Sequence, residues 1–111
     1  MSDSKAQNDR QAPVSVLSSL VSYQNDAIVS KQLLKKESGN ITLFAFSKGE
    51  GLSEHTAPFD AWILLLEGEA EISIGEETYA VSEGETITLP ANIPHAVQSA
   101  SDFKMLLVML K

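Results

Sequence analysis

The sequence predicts an all-β protein, an antiparallel sandwich or barrel preceded by one short N-terminal helix. Three observations carry this expectation. Short runs rich in Val, Ile, Leu and Thr follow one another from Ala27 to Leu110. Clusters built on Gly, Pro, Asn and Ser separate them at short, even intervals, which is the turn chemistry of a strand-to-strand chain. Only Val14 to Ser22 has helical spacing, with Val16, Leu17, Leu20 and Val21 at i, i+1, i+4 and i+5, enough for one or two turns.

The elements read in order as follows. Residues 1–13 form a polar tail with almost nothing to bury, expected to be disordered, and residues 14–111 form a single domain. Ala27 to Leu34 and Ile41 to Phe46 read as strands around Lys-Lys-Glu-Ser-Gly-Asn. In the second, Ile41, Leu43 and Ala45 share one face while Thr42, Phe44 and Phe46 share the other. Ala61 to Glu67 is an apolar strand that stops at Gly68. Glu69 to Ile74 alternates strictly between Glu69, Glu71, Ser73 and Ala70, Ile72, Ile74, which marks one wet and one buried face. Thr78 to Ser82, Glu85 to Leu89, His95 to Ser99 and the nearly all-apolar Phe103 to Leu110 complete the series. The chain is long enough to bury one core without staples.

Charge narrows the choice of partner. The net charge is −7, but it is unevenly spread. Between Lys48 and Lys104 there are eleven acids and no Lys or Arg, whereas the rest of the chain carries eight bases against four acids. An acidic β segment repels phosphate backbones and anionic lipid surfaces, so neither nucleic acid nor a membrane is an expected partner. A pocket built from that segment has no cation for a carboxylate or phosphate, so its ligand should be neutral or cationic. There is no cysteine, which excludes disulfides and thiolate chemistry. The longest uninterrupted apolar runs reach only six residues, as in Ala61 to Leu66, too short to span a bilayer, and the first residues lack a secretory core. A cytoplasmic location is expected.

Catalytic motifs are scarce. No Gly-x-Ser-x-Gly turn supports a serine nucleophile, and Gly49 and Gly51 lack the pattern and lysine of a phosphate loop. Glu67, Glu69 and Glu71 recur with the period of a solvated strand face. The two histidines remain. His55 follows a glycine-rich turn, and His95 lies forty residues later, after Pro90 and Pro94.

The frames around these histidines resemble the two motifs of the cupin superfamily. Gly49, five residues, His55, Thr56, Ala57, three residues, Ala61, six residues and Gly68 reproduce the spacing of the first. Gly84, five residues, Pro90, Ala91, Asn92, two residues, His95, three residues and Ser99 reproduce the second. The resemblance implies a double-stranded β-helix, an antiparallel jelly-roll β-barrel. It also implies a metal centre on the positions here held by His55, Ala57, Ala61 and His95. Two of those four are alanine, and a methyl group donates no electron pair. Asp60 neighbours the lost carboxylate position and is a candidate third ligand for Fe, Mn, Ni, Zn or Cu. Met105 and Met109 share a face with Phe103 and Leu107, and their thioethers suit Cu(I) or plain core packing.

Three functions follow from these residues. The first is a small-molecule-binding cupin whose pocket is lined by His55, Ala57, Ala61, Trp62 or Ile63, His95 and the Met105 face of the last strand. The second is a metal-dependent dioxygenase or isomerase that uses His55, His95 and a non-standard third ligand. The third is a structural barrel whose histidines only hydrogen-bond internally. The missing ligands favour the first and third, and two histidines retained at motif positions favour the first and second. The resemblance also implies a homodimer, with Ala27 to Leu34 as the strand that mediates it.

Overall fold

The computed structural model describes residues 13–111; apart from Pro13, the tail expected over 1–13 lies outside the described residues. Among these residues nine strands follow a single 3-10 turn, Leu17–Leu20. They are β1 (Ile28–Lys36), β2 (Gly39–Phe46), β3 (Gly51–His55), β4 (Asp60–Glu67), β5 (Glu69–Ile74), β6 (Glu77–Ser82), β7 (Thr86–Leu89), β8 (His95–Ser99) and β9 (Phe103–Leu110). The one helical turn is tighter and shorter than the spacing suggests, because Ser and Val supply little helix propensity. β3 is the strand that the sequence pattern conceals: it contains Gly51 and only one large apolar residue, Leu52.

The strands form two antiparallel sheets, β1-β2-β9-β4-β7 and β3-β8-β5-β6. The sheets face each other as in a jelly roll, without closing into one continuous hydrogen-bonded barrel. The main core between them holds Phe46, Ile63, Leu65, Ile72, Phe103 and Met105, each at most 1% exposed. Phe46 and Phe103 stack with centroids 4.5 Å apart at the end of the β2–β9 pair.

β2 buries both of its faces, as its alternation requires. Phe44 and Phe46 face the main core, while Leu43 and Ala45 belong to a second cluster on the outer side of the larger sheet. That cluster is roofed by the segment before β1, through Leu17, Leu20, Val21 and Tyr23. Tyr23 donates a hydrogen bond to Glu67 Oε1 at 2.7 Å, and Lys104 donates to the Ser18 carbonyl at 2.7 Å. Glu67 is thus taken out of the solvated row expected of Glu67, Glu69 and Glu71; Glu69 and Glu71 remain exposed.

Two turns explain why the motif spacings hold. Gly68 has φ +82°, and a Cβ there would stand 2.1 Å from the Asp102 carbonyl oxygen, so only glycine joins β4 to β5. Asn92 occupies the position of a motif glycine and also takes a positive φ, 67°, which asparagine tolerates better than most residues. Among the described residues no helix is long and apolar enough to cross a membrane.

Candidate functional site

A cavity of about 220 Å³ opens between the sheets, on the side where β3 and β8 face β4 and β9. Its lining contains His55, Ala57, Ala61, Ile63, His95 and Met105, so the six residues expected in the pocket come together. Leu52, Phe59, Leu89, Val97, Leu107 and Met109 complete it. Two of these, Leu107 and Met109, follow from the alternation of the last strand. Val97 follows equally from the period of two that starts at His95. Leu52 does not, since an odd spacing separates it from His55. A register shift between Leu52 and His55 in the β3–β8 pair reverses the parity and lets both residues reach the cavity.

The histidines are cross-strand partners: His55 ends β3 and lies opposite His95, which begins β8. Their rings lie edge to face, with centroids 4.3 Å apart. Nδ1 of His55 is 2.9 Å from the Ser53 carbonyl, and Nδ1 of His95 is 3.3 Å from the Ile93 carbonyl. A carbonyl only accepts, so each Nδ1 carries the proton and each neutral ring keeps its lone pair on Nε2. His95 is 9% exposed. Burial holds its pKa below the ordinary 6.5, the charge of His55 pushes the same way, and the Ile93 carbonyl opposes them.

The loop between β7 and β8 is held against this site. The Asn92 amide donates to the Ala57 carbonyl at 2.8 Å, and Asp60 Oδ1 accepts from the Ala91 amide at 2.9 Å. Asp60 therefore does not join the histidines. The pleat of β4 turns Ala61 and Ile63 inward and leaves Asp60 and Trp62 on the outer face, beside Thr88, Val108 and Leu110. Trp62 is 38% exposed, which settles the choice between it and Ile63.

A divalent metal centre does not fit these residues. Such an ion in an open site wants about three protein ligands, and the cavity offers two imidazoles and no carboxylate. Among the described residues no group of three or more His, Cys, Asp or Glu side chains is placed to hold an ion. Met109 stands opposite Ala61 across the β4–β9 pair, where the carboxylate is missing, but a soft thioether does not replace a hard oxygen for Fe, Mn or Zn. Met105, 1% exposed, packs in the main core.

The cupin domain family model matches residues 42–110. Among solved structures, the chain is similar to a conserved protein of unknown function, SPY1581, from Streptococcus pyogenes. The two share 42% identity over 90% of this chain and 88% of that one, with a TM-score of 0.86. A cupin superfamily protein from Desulfitobacterium hafniense shares 31% identity over 85% of this chain and 86% of that one, with a TM-score of 0.82. A cupin 2 conserved barrel domain protein from Leptotrichia buccalis shares 44% identity over 86% of this chain but only 46% of its own, with a TM-score of 0.83. No curated protein matches. With the family match, both motif frames and the paired histidines in agreement, the chain belongs to the cupin superfamily.

Proposed function

We propose that this cupin is a cytoplasmic small-molecule-binding protein that captures a small, largely apolar ligand in the cavity between its sheets. One observation carries the reading: of the twelve lining residues, ten are apolar and the other two are the paired histidines. An apolar cavity of roughly 150 Å³ is enough for a benzene ring, so about 220 Å³ suits a monocyclic molecule with one or two substituents. Alanine at positions 57 and 61 leaves the space that ligand-sized side chains would otherwise fill. The absence of Lys, Arg, Asp and Glu from the lining supports a neutral or cationic ligand over an anion.

Titration calorimetry with toluene tests the cavity itself. Saturable binding that is abolished by the filling substitution Ala57→Leu supports the reading. No binding up to the solubility of toluene, or binding unchanged in Ala57→Leu, overturns it.

We also propose that the protein acts as a homodimer. Among the described residues β1 has a hydrogen-bonded neighbour on one side only, and Leu34, Trp62 and Leu110 are exposed on the larger sheet. Light scattering at micromolar concentration should give twice the mass of one chain; the mass of a single chain would refute it.

A further inference from the structure

We infer that the cavity selects a neutral ligand that donates a hydrogen bond, such as a phenol or an aromatic amine, over an ether or a carboxylate of the same size. This rests on the cavity being a ligand site and names the chemistry of its occupant. Both Nδ1 atoms are committed as donors, His55 to the Ser53 carbonyl at 2.9 Å and His95 to the Ile93 carbonyl at 3.3 Å. What the side chains offer a ligand is therefore a pair of acceptors, the two Nε2 lone pairs, on rings 4.3 Å apart. Among the described residues no other lining side chain carries a nitrogen or oxygen atom.

An ether oxygen or a carboxylate would lose its water and find no donor in exchange, which is the costly way to bury a polar group. A phenolic O–H or an aromatic N–H gives its proton to a waiting lone pair and turns its ring toward the aliphatic lining. An ammonium group also donates, but its full charge would be stripped of water between apolar walls with no carboxylate to meet it. Charge alone leaves neutral and cationic ligands equal; the cost of stripping water from a full charge between these apolar walls separates them.

The test uses the full chain at about pH 8 and four probes of similar size: toluene, phenol, anisole and benzoate. Phenol is expected to bind at least as tightly as toluene, anisole more weakly than either, and benzoate not detectably. In His95→Leu and His55→Leu the ratio of phenol to toluene affinity should fall, by about tenfold in the double variant, whatever the change in toluene affinity itself. Toluene binding to both folded variants shows that the cavity survives the substitutions. Equal affinity for phenol and anisole, or a phenol-to-toluene ratio that survives both substitutions, overturns the inference and leaves the cavity reading intact. Failure of all four probes, toluene included, overturns the cavity reading and this inference with it.

Discussion

The imidazoles of His55 and His95 meet edge to face, ring centroids 4.3 Å apart and planes inclined by 67°, although forty residues separate them in the chain. They meet because β3 ends where β8 begins, in an antiparallel pair that places the two residues opposite each other. At this separation two imidazolium charges would repel, and His95 has almost no solvent to relieve the cost. His95 is therefore suited to the neutral state, and each ring is anchored by a main-chain carbonyl through Nδ1. The pair forms the one polar spot in a cavity that is otherwise hydrocarbon and thioether.

The lowered pKa of His95 makes stability depend on pH in a defined direction. In the unfolded chain this histidine titrates near 6.5, and in the fold it titrates lower. Below 6.5 the unfolded state binds more protons than the native state, so the contribution is complete above that pH. It is lost as pH falls from 6.5 through the folded pKa, and levels off below it. Melting temperatures of the protein and of His95→Leu, measured between about pH 8 and pH 4.5, isolate this effect from the carboxylates common to both. The difference should shift in favour of the leucine variant as the solution is acidified. Parallel curves would show that His95 is not held neutral by the fold.

Ser99 occupies the position of the second motif's asparagine and carries a structural duty there. Its Oγ lies 2.6 Å from the Glu50 carbonyl and 3.0 Å from the Ser47 carbonyl, and its amide donates to Glu50 at 3.1 Å. These bonds tie β8 to the turn that launches β3, and so fix the height at which the two histidines meet. Ser99→Ala should cost about 1 kcal/mol by removing the hydroxyl's hydrogen bond to these half-buried carbonyls, which keep only their main-chain donors. Denaturant unfolding measures the loss, and the His55 side-chain resonances in an NMR spectrum should broaden or move with it. A variant as stable as the parent, with unshifted His55 resonances, would contradict this role.

Most of the fold is legible in the sequence because strand alternation and turn residues are local signals. The strict period of Glu69 to Ile74 and the double-faced pattern of Ile41 to Phe46 reappear as β5 and β2, and the motif glycine Gly68 sits where only glycine fits. The pocket is legible for a different reason: the resemblance to the two cupin motifs assigns His55, Ala57, Ala61 and His95 to one site, and all four line the cavity. What escapes is non-local. β3 gains its strand character from pairing with β8 rather than from its own composition, and the register shift that turns Leu52 inward is invisible to a fixed period of two. Asp60 looks like a rescued ligand because it neighbours Ala61 in sequence, yet adjacent residues on a strand face opposite ways, and its carboxylate serves the Ala91 amide.

The segment before β1 is pinned by a small polar cluster at the edge of the second core. Tyr23 donates to Glu67 Oε1 at 2.7 Å, and the Lys104 ammonium lies 3.7 Å from the same oxygen and 5.1 Å from the Tyr23 ring centroid. Burial, then the Glu67 carboxylate, push the Tyr23 hydroxyl far above its ordinary pKa of 10, so it remains a donor through the alkaline range. Tyr23→Phe keeps the ring and removes only the donor; it should cost about 1–2 kcal/mol, since the acceptor is charged. The same variant should lose the parent's alkaline destabilisation above pH 10, where the unfolded tyrosine ionises and the folded one does not. Amide exchange in Leu17 to Tyr23 would report the loosening, and unchanged protection there would refute it.

The two alanines at ligand positions make a reciprocal prediction about metal. Ala57→His with Ala61→Glu would place two further donors in the lining that already holds His55 and His95. The new carboxylate enters an apolar cavity at a site that is 6% exposed, so the double variant without metal should melt below the parent. Divalent Mn, Ni or Zn should reverse that loss, adding about 2.7 kcal/mol when the free ion stands at a hundred times its Kd. The parent chain, with two imidazoles alone, should show no comparable rise at the same concentration. Removing His95 from the double variant should abolish the gain, because the remaining ligands no longer surround one point. Calorimetric titration of the three proteins with each ion decides the matter: parent affinity equal to that of the double variant would mean that the substituted positions are not what keeps a divalent ion out of this cupin.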